Sequence, residues 1–159
     1  MDTSNPSSSS HQWKYHVFLS FRGEDTLKSF TDHLHIALKQ EGVITFRDKE
    51  NLERGKPISL ELLKAIEESL FAIVILSRNY ASSTWCLDEL VKIMECREKI
   101  GLIVFYDVDP SEVCKLMGSY AEAFIEHEKF FKKNINKVHT WKATLTKVAN
   151  LSGFSLQDR

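Results

Sequence analysis

Short apolar runs alternate with segments of helical periodicity along this chain, and that alternation limits the fold more than any other feature. The apolar runs lie at residues 15–20, 43–46, 70–76 and 102–106. Between them, apolar residues recur at helical spacing. Phe30, Leu34, Ala37 and Leu38 make one stripe, which stops near Gly42. Ile58, Leu62, Leu63 and Ile66 make the next, and Leu87, Leu90, Val91 and Met94 a third. Residues 118–133 and 138–150 are also expected to be helical, the latter with a stripe of Val138, Trp141, Leu145 and Val148. Strand–helix alternation of this kind predicts a parallel α/β sheet with helices on both faces. The run at 70–76 is apolar throughout, as expected of a strand covered on both sides. The flavodoxin-like member of this class, order 2-1-3-4-5, is the expectation, with the fifth strand short or incomplete.

In that order the topological switch point lies between the first and third strands, and ligands bind outside the strands' carboxyl ends. The loop after the first strand holds Phe21, Arg22 and Gly23. Beyond the third strand, residues 77–84 lead into the helix carrying Trp85 and Glu89. The switch point therefore gathers these loops at one crevice. On a helical wheel Trp85 and Glu89 share a side at i and i+4, roughly half a turn from the Leu87–Leu90 stripe. The expectation is a carboxylate and a flat ring on the face away from the core. A solvated acid beside a tryptophan packed under a loop is the plainer alternative. Glu89, read as an exposed acid near its helix start, is favoured as a carboxylate by the helix dipole. Arg22 and Arg47 are candidates for phosphate contacts, and Gly23 allows close approach to the backbone.

Other classes are excluded by what these loops lack. The first strand is not followed by GxGxxG, and no GxxxxGK[ST] occurs, which argues against a dinucleotide oxidoreductase and a P-loop NTPase. A phosphoacceptor receiver needs an aspartate at the end of the third strand, where this chain has Leu76-Ser77. His33 and His35 are two apart and do not face each other on a helix, so no metal site is expected. A formal net charge of -1 gives no electrostatic footprint for nucleic acid. Cys86, Cys96 and Cys114 have no paired spacing and read as reduced thiols. No apolar run reaches membrane-spanning length. Residues 1–12 are Ser-rich and expected to be a disordered leader, with one domain over 13–159.

Together these residues carry a resemblance. The run Tyr15-His-Val-Phe-Leu-Ser-Phe-Arg-Gly-Glu-Asp-Thr26 is similar to the opening of plant Toll/interleukin-1 receptor (TIR) domains. So are Leu63-Lys-Ala-Ile-Glu-Glu-Ser69, Asn79-Tyr-Ala-Ser-Ser-Thr-Trp-Cys-Leu-Asp-Glu-Leu90, Phe105-Tyr-Asp-Val-Asp-Pro-Ser111 and Val148-Ala-Asn-Leu-Ser-Gly153. The resemblance implies the flavodoxin-like fold and a role in intracellular immune receptors or TIR-only proteins. It also implies cleavage of NAD⁺, as substrate and not as cofactor, to nicotinamide and ADP-ribose products.

Under the resemblance Glu89 is the catalytic residue, and Phe21, Arg22, Gly23, Arg47 and Trp85 bind substrate. The loop with Asp48, Lys49, Glu50, Arg54, Gly55 and Lys56 matches the family's BB loop, which gates the site and meets neighbouring protomers. Asp32 and His33 stand where the family has its Ser-His self-association pair. The implied partners are other TIR domains, in weak homotypic dimers or larger assemblies. Lipase-like immune helper proteins are implied through the nucleotide products, in the cytoplasm and the nucleus. A catalytically weak scaffold acting by homotypic contacts is the alternative. The segment between Cys96 and Phe105 is shorter than the family pattern. The chain as read stops at Arg159, before the family's final helix, so an uncovered apolar footprint and lowered stability are also expected.

Overall fold

The computed structural model describes residues 13–23, 30–47, 58–96, 100–156. The proposed leader, the BB-loop residues Asp48 to Lys56, and part of the short segment after Cys96 lie outside the described residues. Five parallel strands form one sheet in the order β2-β1-β3-β4-β5, as the alternation predicts. The strands are β1 (Tyr15–Ser20), β2 (Thr45–Arg47), β3 (Ser69–Leu76), β4 (Ile100–Tyr106) and β5 (Phe154–Leu156). The helices are α1 (Phe30–Gln40), α2 (Leu60–Glu67), α3 (Thr84–Glu95), α4 (Pro110–Cys114), α5 (Ser119–Phe130) and α6 (Ile135–Ala149).

Side chains alternate between faces along each strand, and this divides the core in two. Phe18, Ala72, Val74, Leu76, Ile103 and Phe105 join the larger cluster, which also takes in the buried stripes of α2, α3, α5 and α6. The intervening residues Val17, Leu19, Ile73, Ile75, Val104 and Tyr106 form the smaller cluster on the other face. There α1 supplies Phe30, Leu34 and Leu38, and Phe30 stacks on Tyr106 with centroids 5.5 Å apart. The stripe of α6 is buried throughout, as its spacing predicts: Val138, Trp141, Leu145 and Val148 are all 1% exposed or less.

Several expectations need correction. Strand β2 begins at Thr45, because Val43 closes the α1 C-terminus by donating its N–H to the Leu38 carbonyl at 2.9 Å. Ala37 is exposed, so the α1 stripe is narrower than the periodicity suggests. Strand β3 is covered on both faces only from Ala72 onward; Leu70 and Phe71 at its start are exposed. Residues 107–111, Asp-Val-Asp-Pro-Ser, read from sequence as a turn, but they open a short helix. Asp109 caps α4 by accepting from the Ser111 N–H at 2.9 Å, and Pro110 occupies the first helical turn, where its missing N–H costs nothing.

Candidate active site

The carboxyl ends of β1 and β3 lie side by side, with Ser20 in register with Val74. Strand β1 continues the sheet through β2, while β3 continues it through β4, so the switch point falls between them. Chain leaving β3 makes a 3-10 turn at Tyr80–Ser82 and enters α3 through Ser83. The Ser83 hydroxyl accepts from the Cys86 N–H at 3.1 Å, an N-cap that fixes where α3 starts. The loop leaving β1 meets this helix directly. Ser20 Oγ donates to Glu89 Oε1 at 2.8 Å, and Cys86 Sγ donates to the Phe21 carbonyl at 3.4 Å. At the switch point the end of β1 and the first half of α3 are thus packed against each other.

The packing there differs from the expectation. Glu89 is only 5% exposed and Trp85 9%, and Trp85 belongs to the larger core cluster. Helix α3 packs against α2, α6, β1 and the 3-10 turn, so both of its sides are covered. A wheel that assigns one apolar stripe to the core cannot represent such a helix. Nor does Glu89 lie at the helix start. The first turn of α3 holds no acid, and the dipole's influence falls off within that turn. One support of the carboxylate is a hydroxyl hydrogen bond.

Behind Glu89 the polar contacts continue. Ser20 Oγ lies 2.7 Å from the Tyr80 hydroxyl. The Tyr80 hydroxyl in turn lies 3.1 Å from the Cys86 carbonyl, to which it can donate. Ser20 and Tyr80 are both 0% exposed. Burial pushes the Tyr80 phenol well above its ordinary range, with Cys86 and Glu89 adding to the rise, so Tyr80 keeps its proton. Tyr120 of α5 donates to the Ser77 carbonyl at 2.6 Å and holds the exit of β3. Sequence reasoning passed over Ser20 and Tyr80. The signal available was Ser20 itself, a hydroxyl ending an otherwise apolar strand at the switch point.

The remaining site residues divide into two groups. Arg22 and Gly23 follow Phe21 on the loop above α3, each half-buried. Arg47 ends β2, in register with Leu19, and its guanidinium meets Asp32 on α1 at 2.6 Å. Two residues expected in separate roles are therefore tied to each other. Arg47 is 9% exposed at its side chain and Asp32 46%, so removing Asp32 leaves a nearly buried cation. His33 beside it is exposed. Asp32→Ala is expected to cost about 1–2 kcal/mol, between the values for surface and buried pairs. Urea unfolding of the single and double variants checks it; a coupling near zero between Asp32 and Arg47 would show that the pair contributes nothing. Among the described residues no cluster of His, Cys, Asp and Glu is arranged to hold a metal. All three cysteines are free thiols, and Cys86 is buried.

A parallel doubly wound domain with a hydroxyl-supported carboxylate at its switch point is the class that fold and site define. The family model of the TIR domain matches residues 14–159, and the chain belongs to that family. It is 53% identical over 150 residues to TMV resistance protein N of Nicotiana glutinosa, covering 92% of this chain and 13% of that protein. To disease resistance protein RPV1 of Vitis rotundifolia it is 55% identical over 147 residues, covering 91% of this chain and 10% of that protein. The chain thus spans roughly a tenth of these relatives' length. Among solved structures it is similar to the TIR domains of the activated Roq1 resistosome directly recognizing the pathogen effector XopQ. The TM-score is 0.81 at 56% identity, covering 90% of this chain and 88% of that one.

Proposed function

We propose that this domain hydrolyses NAD⁺ at the nicotinamide–ribose bond, with Glu89 as the catalytic carboxylate, and that it does so as the signalling part of an immune receptor. The observation that carries the reading is the place of Glu89: at the switch point, on the family motif, its carboxylate held by a hydroxyl donated from the end of β1. Nicotinamide leaves NAD⁺ as a neutral ring, so its departure requires no acid. Positive charge develops on the ribose instead, and a fixed carboxylate in a site sheltered from water stabilises it strongly. Arg22 and the Gly23 backbone are the candidates to meet the pyrophosphate. Trp85 packs as a wall beside Glu89, one helical turn away. Arg47 spends one guanidinium nitrogen on Asp32 and keeps further N–H donors for a phosphate.

Self-association is part of the same reading. The relatives are resistance proteins, and the Roq1 TIR domains were solved within a resistosome. Other TIR domains are then the direct partners, and helper proteins act downstream through the nucleotide products in the cytoplasm or nucleus. No helix among the described residues is long and apolar enough to cross a membrane. The scaffold alternative draws on the burial of Glu89 and Trp85, which leaves little of either exposed in the single domain. Nicotinamide release measured from dilute to concentrated protein separates the two. Specific rate is expected to rise with concentration as neighbours order the site. A flat specific rate would remove the dependence on assembly, and association without turnover would establish the scaffold.

A further inference from the structure

Between Glu89 and the Cys86 carbonyl run three close oxygen–oxygen contacts: Glu89 to Ser20 at 2.8 Å, Ser20 to Tyr80 at 2.7 Å, and Tyr80 to the Cys86 carbonyl at 3.1 Å. Each hydrogen bond needs its own proton, and a hydroxyl carries only one. Ser20 and Tyr80 together supply two. When Glu89 is ionised, Tyr80 donates to Ser20 and Ser20 donates to the carboxylate, and the Cys86 carbonyl receives nothing from Tyr80. When Glu89 carries a proton, the chain runs the other way: Glu89 to Ser20, Ser20 to Tyr80, Tyr80 to the carbonyl. All three contacts are then bonded. Both directions fit the same oxygen positions, so the chain reverses by rotating two hydroxyls and moves no heavy atom.

We infer that Ser20 and Tyr80 are positioning residues that form a reversible hydroxyl relay, holding the Glu89 carboxyl in one place whether it is charged or neutral. The inference rests on the hydrolase reading for its use in catalysis. In that reaction the C1′–N bond breaks and its electron pair leaves on the nicotinamide nitrogen. A water oxygen forms the new C1′–O bond. The water's proton passes to the Glu89 carboxylate and then to solvent, so that NAD⁺ and water give nicotinamide, ADP-ribose and one proton. Glu89 must change charge within each turnover, and a relay that reverses lets it do so without losing its support.

The surroundings suit this role. Ser20 and Tyr80 are fully buried, so water does not compete for their protons. Burial first, then Cys86 and Glu89, keep the Tyr80 phenol protonated through the working pH range. Among the described residues, the titratable groups facing the Tyr80 end of the relay are Cys86 on α3 and Tyr120 from α5. Arg22 lies two residues beyond Ser20 on the loop from β1.

The test titrates the Glu89 carboxyl by ¹³C NMR in the whole chain, with its signal assigned by loss in Glu89→Gln. Wild type, Ser20→Ala and Ser20→Thr are compared, and NAD⁺ turnover is followed alongside. Ser20→Ala removes the donor to a buried carboxylate, so its Glu89 midpoint is expected to rise by about one pH unit. The acid limb of the rate profile should move the same way, with kcat falling about tenfold and KM changing less than about twofold. Ser20→Thr keeps the hydroxyl and should restore the wild-type midpoint. Should the extra methyl prevent folding, the Ala result decides alone. Equal midpoints in folded wild type and Ser20→Ala overturn the relay. A shifted midpoint with no turnover in wild type supports the relay and sinks the hydrolase reading instead.

Discussion

Glu89→Gln is expected to lower NAD⁺ cleavage by about 10²–10³-fold, the loss typical of removing one electrostatic stabiliser from a sheltered site. The amide keeps the volume and still accepts from Ser20, so the fold should persist. Glu89→Ala is a different case. At 5% exposure the side chain fills space between β1 and α3 and receives the Ser20 hydroxyl. Truncating it opens a void and leaves the Ser20 hydroxyl with Tyr80 alone, at an expected cost of about 1–3 kcal/mol. The loss of activity in Glu89→Ala therefore mixes chemistry with stability, and Glu89→Gln is the cleaner probe. Activity of Glu89→Gln equal to wild type at matched concentration would exclude Glu89 from the reaction.

Trp141→Ala carries the largest expected effect on stability. Trp141 is 1% exposed and lies where α6 packs on α3. Its Nε1–H donates to Asp88 Oδ1 at 3.0 Å, and its ring meets His127 and Phe131 edge-on, each with centroids 5.3 Å apart. Losing this ring should cost about 3–5 kcal/mol, a large share of a domain's whole stability. The melting temperature should fall on the order of 10 °C. Asp88 would lose a partner that opposes the effect of burial, which already raises its carboxyl above the ordinary range. Since Asp88 precedes Glu89 on α3, a loosened Trp141 should also disturb the Glu89 carboxyl. Trp141→Phe keeps most of the volume and should cost only about 1–2 kcal/mol, mainly the hydrogen bond. Calorimetry on both variants decides; a melting temperature unchanged in Trp141→Ala would show that α6 does not anchor α3.

The architecture was legible because its causes are periodic. Runs such as Ile73–Leu76 must be covered on two faces, and stripes such as Val138–Trp141–Leu145–Val148 supply the covering, so the parallel sheet followed from alternation, and its switch point from the flavodoxin-like order of that class. The meeting of the β1 loop with α3 came with them. Its environment did not. Trp85 was set aside from the core because it lay opposite Leu87 and Leu90, yet α3 is enclosed by the sheet on one side and by α2 and α6 on others. Over residues 84–90 every residue but the half-buried Asp88 is buried, so the wheel has no solvent face to find there. Short polar features were missed for a related reason. Ser20 and Tyr80 matter through distances between residues 60 apart in sequence, which no local pattern encodes. The start of α4 is the opposite case, since Asp109-Pro110 has the form of a cap followed by a first-turn proline and was passed over as a turn.

The central claim is that this domain breaks the nicotinamide–ribose bond with water and leaves the rest of NAD⁺ whole. Mass spectrometry of products formed by the concentrated wild-type domain in ¹⁸O-labelled water tests it most directly. The account predicts free nicotinamide in equal amount to ADP-ribose, with one labelled oxygen on the ribose, and both products about 10²–10³-fold slower to form in Glu89→Gln. Intact NAD⁺ after prolonged incubation of self-associated protein, or cleavage at the pyrophosphate in place of the glycosidic bond, would contradict it.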